Sequence, residues 1–138
     1  MERHVFINLP VADLARSKEF FGALGWTFNR QFTNDNAACL EVGGSIHAML
    51  MPHAVFARYT AREIVDAHRQ AEVMIAFTCE NREEVERLVG AALLAGGNLP
   101  RPPQDHGFLY GASFQDLDGH LWEPFWMDPA GLSGETNG

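Results

Sequence analysis

The apolar and polar positions of this chain follow two periods. Residues 121, 123 and 125 alternate with 120, 122, 124 and 126, the period-two pattern of a strand with two unlike faces. By contrast, Val85, Leu88, Val89 and Ala92 recur at i, i+3, i+4 and i+7, which marks one buried face of a helix. Asn81 with Glu84 gives that helix a capping-box start, and Gly96-Gly97 ends it. An earlier helix opens on Asp13 as N-cap, carries Leu14, Phe20, Phe21 and Leu24, and stops at Gly25. Short strands are predicted over 26–33, 37–42 and 45–51, with Gly43-Gly44 as a tight turn. Further strands are predicted over 98–103, 108–115 and 120–126, with Asp118-Gly119 as the turn.

These elements repeat. HVFINLPVADLARSKEFFGAL, starting at residue 4, superposes on EVMIAFTCENREEVERLVGAA, starting at residue 72, at an offset of 68. Ile7 falls on Ile75, Asp13 on Asn81, Phe20 on Leu88 and Gly22 on Gly90. The expectation is an α+β domain over 1–138 built from two βαβββ modules, about 4–51 and about 72–127. A connector of about 52–71 joins them, and a flexible tail of about 128–138 follows. Within the connector, Thr60 and Glu63 predict a short helix, and Phe56 and Tyr59 are placed to close over a cavity or simply to pack on the surface. A helix with one apolar face covers one side of each mixed sheet. The free sides of two curved sheets would then form a cleft suited to a ligand.

Composition narrows the partners. The chain has 138 residues, is 46% hydrophobic and carries a formal net charge of −8. Its basic residues are scattered, so no basic stripe marks it as a nucleic-acid binder. No apolar run approaches the ~18 residues of a membrane span, and MERHVFINLP does not read as a signal peptide. A cytoplasmic protein is expected, with Cys39 and Cys79 as buried free thiols. The six histidines form no ligand pattern along the chain, and solvated or core-edge positions are expected for His4, His53, His68, His106 and His120.

The opening VADLARSKEFFGALGW and the closing FQDLDGHLWE resemble the vicinal oxygen chelate superfamily, which holds glyoxalase I, extradiol dioxygenases, and fosfomycin- and bleomycin-resistance proteins. The resemblance covers about residues 4–127, and LWEPFWMDP is similar to a group labelled predicted lactoylglutathione lyases. It implies the paired βαβββ fold, and it implies a homodimer. In the superfamily's metal enzymes, ligands come from the first and last strands of each module. Carried over residue by residue, these positions are Phe6, Ala48 or Met49, Met74 and Glu123. Phenyl and thioether groups do not suit a hard divalent ion, so only Glu123 keeps a ligand type. No metal or other cofactor is expected on this count. A rescue would need His47 to turn inward after a one-residue register shift, with Asn8 as a weak neighbour.

Phe6, Asn8, His47, Met49, Met74, Leu121, Glu123 and Phe125 are therefore the candidate ligand-binding residues, and Glu123 is the one candidate for catalysis. A carboxylate in an apolar wall is costly unless hydrated, hydrogen-bonded or paired. Three roles stay open for it: anchor for a cationic or hydrogen-donating small molecule, general base in a metal-free reaction, or a structural partner of an arginine. Two functions follow. One is a small-molecule-binding protein like the bleomycin-resistance branch. The other is an enzyme holding a divalent metal, either a lyase or isomerase like lactoylglutathione lyase or a dioxygenase.

Overall fold

A computed structural model of the protein describes residues 1–131. The chain divides into two compact units, Met1–Ala67 and His68–Gly138. The connector expected over 52–71 is thus shared between them.

In the first unit, strand β1 (Val5–Val11) leads into helix α1 (Leu14–Ala23), followed by β2 (Thr27–Phe28), β3 (Ala38–Gly43) and β4 (Ile46–Pro52). The sheet order is β1-β4-β3-β2, with β1 parallel to β4 and the other pairs antiparallel. Leu9 and Val11 of β1, Ala48 and Leu50 of β4, and Ala38 and Leu40 of β3 are all buried. By alternation they share one face, and α1 lies against β3 and β4 with Ser17, Phe20 and Phe21 buried. Burying side chains such as Phe20 and Leu50 is worth about 2–3 kcal/mol each.

The second unit repeats this plan with β5 (Met74–Thr78), α3 (Arg82–Leu94), β6 (Gln104–Asp105), β7 (Leu109–Gly111), β8 (Phe114–Gln115) and β9 (Leu121–Met127). The order is β5-β9-β7-β6, with β5 parallel to β9 and β8 also pairing with β9. Ile75 and Trp122 are buried on the face that α3 covers through Val85, Leu88, Val89 and Ala92.

The two helices begin and end by the same devices. The Asp13 side chain accepts from the Arg16 N–H at 3.1 Å, and Asn81 accepts from the Glu84 N–H at 2.8 Å. Glu84 reaches back to accept from the N–H of Glu80 at 2.8 Å. At the far ends, Gly25 and Gly96 adopt positive φ, 88° and 106°. Gly25 N donates to Gly22 O and Trp26 N to Phe21 O. Gly96 N and Gly97 N donate likewise to Leu93 O and Ala92 O. Both ends are Schellman closures.

Several sequence expectations are corrected. The connector helix is not at Thr60. It lies earlier, as α2 (His53–Phe56) running into a 3₁₀ turn, Ala57–Tyr59. The Thr60 hydroxyl accepts from the Arg62 N–H at 3.1 Å and closes a turn instead of opening a helix. The strand expected over 26–33 shortens to Thr27–Phe28, because the Asn29 carboxamide accepts from the N–H groups of Gln31 and Phe32 and bends the chain away. The strand expected over 98–103 reduces to a bridge between Asn98 and Gln115, and pairing resumes at Gln104, past three prolines, Pro100, Pro102 and Pro103, that lack donors. The strand expected over 108–115 is broken into β7 and β8 at Ala112-Ser113.

That break explains Pro124, which reads in sequence as an edge or bend. Strand β9 is instead central, flanked by β5 and by β7 and β8. The Pro124 carbonyl accepts from Ala112 N–H, so its missing donor faces the gap between β7 and β8. Part of the expected flexible tail is fixed: Asp128 N donates to Phe108 O at 2.7 Å and Gly131 N to Asp128 O at 3.0 Å. Residues 132–138 of that tail lie outside the described residues.

The closing turn is organised by Asp116, which is buried. Its carboxylate accepts from the Asp118 and His120 N–H groups at 2.9 and 3.0 Å, and from the Trp122 indole N–H at 3.0 Å. Burial pushes its pKa up, against the pull of His120 and these donors. Gly119 completes the turn at φ 87°. The acidic turn of the sequence therefore anchors Trp122 beneath β9 and presents Glu123 on the opposite face.

Candidate functional site

Each sheet has one face turned away from its helix. In the first unit, strand register puts Phe6 beside His47 and Asn8 beside Met49 on that face, and Cys39 and Glu41 of β3 join them opposite Met49 and His47. In the second unit, Met74 pairs with Leu121, Ala76 with Glu123, and Thr78 with Phe125. The eight candidate residues thus fall into two groups of four, one on each open face.

The parallel pairs fix a position that the sequence leaves double. Glu123 stands opposite Ala76, whose counterpart at the offset of 68 is Asn8, and Asn8 stands opposite Met49. The first-unit equivalent of Glu123 is therefore Met49, on the open face. Ala48 points to the buried helix side. The positions that the resemblance implies for metal ligands are then Phe6 and Met49 in the first unit and Met74 and Glu123 in the second. This donor set does not fit a divalent ion, since three of its members offer a ring or a thioether.

Glu123 has a partner. The Arg101 guanidinium donates to it at 3.0 Å, with the side chains 52% and 19% exposed respectively. Arg101, Gln104, His106, Leu109, Pro124 and Phe125 surround Glu123 in a cavity of about 330 Å³. This cavity includes Glu123 and Phe125 and leaves out Met74, which is 60% exposed, and Leu121. On the first unit a second cavity, about 310 Å³, takes in Asn8, Met49, Val55, Arg58 and Tyr59, but neither Phe6 nor His47.

His47 belongs to a cluster that sequence reasoning missed. It is buried, and its Nδ1 lies 2.7 Å from Glu41 Oε2, while its Nε2 is 2.8 Å from His4 Nδ1. Phe6 stacks on the ring with centroids 4.4 Å apart. Cys39 Sγ donates to Glu41 Oε1 at 3.7 Å. Burial and the adjacent Glu41 carboxylate push the Cys39 thiol up to about 11. His47 needs no register shift to reach the open face, and His4, exposed as expected, is its hydrogen-bond partner. The signal was present as Cys39-x-Glu41 on one strand and His47 across the hairpin. It was hidden by a bulge between Glu41 and Gly43, which moves the pairing by one residue and sets Glu41 against His47. The other thiol, Cys79, is also free, and burial together with Glu84 pushes it up to about 12. No helix among the described residues is long and apolar enough to cross a membrane.

Comparison with known proteins agrees with this architecture. Residues 3–43 match the family model of the bleomycin resistance protein-like N-terminal region. A hypothetical protein from S. aureus is 30% identical, with 91% of this chain and 94% of that one covered and a TM-score of 0.77. A glyoxalase-related enzyme from Fulvimarina pelagi is 22% identical over 91% of this chain and 88% of its own, with a TM-score of 0.74. A glyoxalase/bleomycin resistance protein/dioxygenase family enzyme from Burkholderia phytofirmans is 16% identical over 88% and 96%, with a TM-score of 0.71. No curated protein matches the chain. The N-terminal segment thus matches the bleomycin resistance protein-like model, and the chain has the fold of the glyoxalase/bleomycin resistance/dioxygenase structures.

Proposed function

We propose that this protein binds a small molecule with a cationic or hydrogen-donating group in the second-unit cavity, with Glu123 as anchor and without the four-ligand metal of the superfamily's enzymes. The observation that carries this reading is the setting of Glu123: one carboxylate in a wall of Leu109, Pro124 and Phe125, held by a half-exposed Arg101. An acid in such a wall needs a partner. An ion pair this exposed is worth only about 0.2–1 kcal/mol, so a ligand cation can take over from Arg101 at little cost. The apolar floor then contributes burial of the ligand's hydrocarbon surface. The bleomycin resistance protein-like match at the N-terminus supports a binding role. A metal-dependent lyase, isomerase or dioxygenase would need ligands where this chain has Phe6, Met49 and Met74.

The test is a thermal-shift screen of small cationic, neutral and anionic compounds, repeated with Glu123→Gln. A ligand of the native state at 100 times its Kd adds about 2.7 kcal/mol of stability. The expected result is a shift with cationic or hydrogen-donating compounds that Glu123→Gln removes. Shifts that survive this substitution, or arise only with anions, contradict the reading.

A further inference from the structure

The cluster on the open face of the first sheet has no part in the binding role proposed above. We propose that Cys39, Glu41 and His47 form a binding site for one borderline-soft divalent ion of the zinc type, separate from the superfamily's shared metal position.

The geometry comes first. One ligand atom from each residue, the Cys39 sulfur, a Glu41 oxygen and a His47 ring nitrogen, lies within 4.8 Å of the others. The sulfur is 3.7 Å from Glu41 Oε1, and His47 Nδ1 is 2.7 Å from Glu41 Oε2. A tetrahedral zinc ion with ordinary bond lengths sets its ligand atoms roughly 3–4 Å apart, so small side-chain adjustments suffice.

The second observation is His47 itself. The residue is only 5% exposed, and its Nδ1 has no hydrogen-bond partner despite the short distance to Glu41. A buried ring nitrogen that close to a carboxylate oxygen, yet not aligned for a hydrogen bond, is costly for a proton to serve, because N–H bonding is directional. A d¹⁰ ion, with no directional preference of its own, serves it well.

The surroundings fit. Nε2 of His47 is already engaged by His4 at 2.8 Å, the outer contact that fixes ring orientation in metal-binding histidines. Phe6 stacks on the imidazole, and Phe32 meets Phe6 edge-on, walling one side against water. The Glu41 side chain stays 25% exposed and gives an ion its way in. The charges also balance. On binding, the Cys39 thiol gives its proton to solvent, and thiolate, carboxylate and neutral imidazole then hold a dication at net zero. Mixed sulfur, nitrogen and oxygen donors select zinc or cobalt over magnesium or calcium, which prefer all-oxygen shells. With three protein ligands, one position is left for water or a ligand atom.

The experiment uses the full chain, reduced and stripped with a chelator, then titrated with zinc alone and desalted before metal is counted. Cobalt is titrated in parallel, where a thiolate ligand gives a charge-transfer absorption. The expected result is one equivalent of zinc and a thiolate–cobalt band. Cys39→Ser and Glu41→Gln should each weaken zinc at least tenfold, the first also removing the band. Cys79→Ser and Glu123→Gln should keep both. Circular dichroism checks folding, and the two weakening variants act on different strand positions, so one misfolded variant leaves the other decisive. Three results overturn the site: no retained zinc, zinc retained equally by Cys39→Ser and Glu41→Gln as adventitious surface binding, or zinc lost on Glu123→Gln. The last would put the ion at the superfamily position and would also count against the proposed ligand anchor. Zinc weakened by Cys39→Ser and Glu41→Gln but kept by Glu123→Gln leaves that anchor untouched.

Discussion

On the open face of the first sheet the polar groups stand together: Cys39, Glu41, His47 and His4 are linked within hydrogen-bonding reach, under the ring of Phe6. On the corresponding face of the second sheet one acid stands among apolar neighbours, and its partner Arg101 comes from outside the strands. Both faces descend from the same βαβββ plan, with matching helix caps and matching parallel strand pairs. The difference shows that the plan fixes where side chains point, and that the chemistry is set by which strand supplies polar residues. In the first unit Cys39, Glu41 and His47 sit on β3 and β4, and His4 precedes β1. In the second, β9 supplies the one acid, Glu123, and the neighbouring β5 supplies only Met74, Ala76 and Thr78 on that face.

The strongest way to break this comparison is from beneath. Asp116 holds β9 in place for Glu123, and the first unit has no such buried acid. Asp116→Ala strips three donors of their acceptor and leaves the Trp122 indole N–H unsatisfied in the core. A loss of about 3 kcal/mol in urea unfolding is expected, with Asp116→Asn losing less. At the helix starts the two units should respond alike: Asp13→Ala and Asn81→Ala are each expected to cost about 1 kcal/mol, because each removes one side-chain acceptor from an N–H of the first turn.

A smaller effect distinguishes the second unit at acid pH. Arg82 binds Asp105 through two contacts of 2.8 and 3.0 Å and lies over Tyr110 and Trp126. The Arg82 hydrogen bonds hold the Asp105 carboxyl down at about 2, below its ordinary value of 3.8. A depressed acid contributes stability above its unfolded pKa, and this is lost as pH falls from 3.8 through about 2. Thermal unfolding of Arg82→Ala across that window should lack this increment, which is small because the pair is exposed.

Local rules made much of this legible. Asp13 and Asn81 could be named as caps because a cap acts within three residues. The faces of β9 could be assigned because alternation survives Pro124. Glu123 was visible as an acid in an apolar wall. Arg101 was not, because it lies in a proline-rich stretch with no period to orient it. The Cys39, Glu41 and His47 cluster was hidden by the bulge near Val42, since a one-residue change in register exchanges the faces of a strand. Thr60 misled because its hydroxyl closes a turn as readily as it caps a helix.

The central claim is that Glu123 anchors a cationic or hydrogen-donating ligand in competition with Arg101. It is tested most directly by titrating a compound found in the screen into wild-type protein and into Arg101→Ala. Removing the internal competitor should tighten binding about 1.5- to 5-fold, the worth of an exposed ion pair. Weaker binding by Arg101→Ala would show that Arg101 is itself the ligand's partner, and would contradict the account.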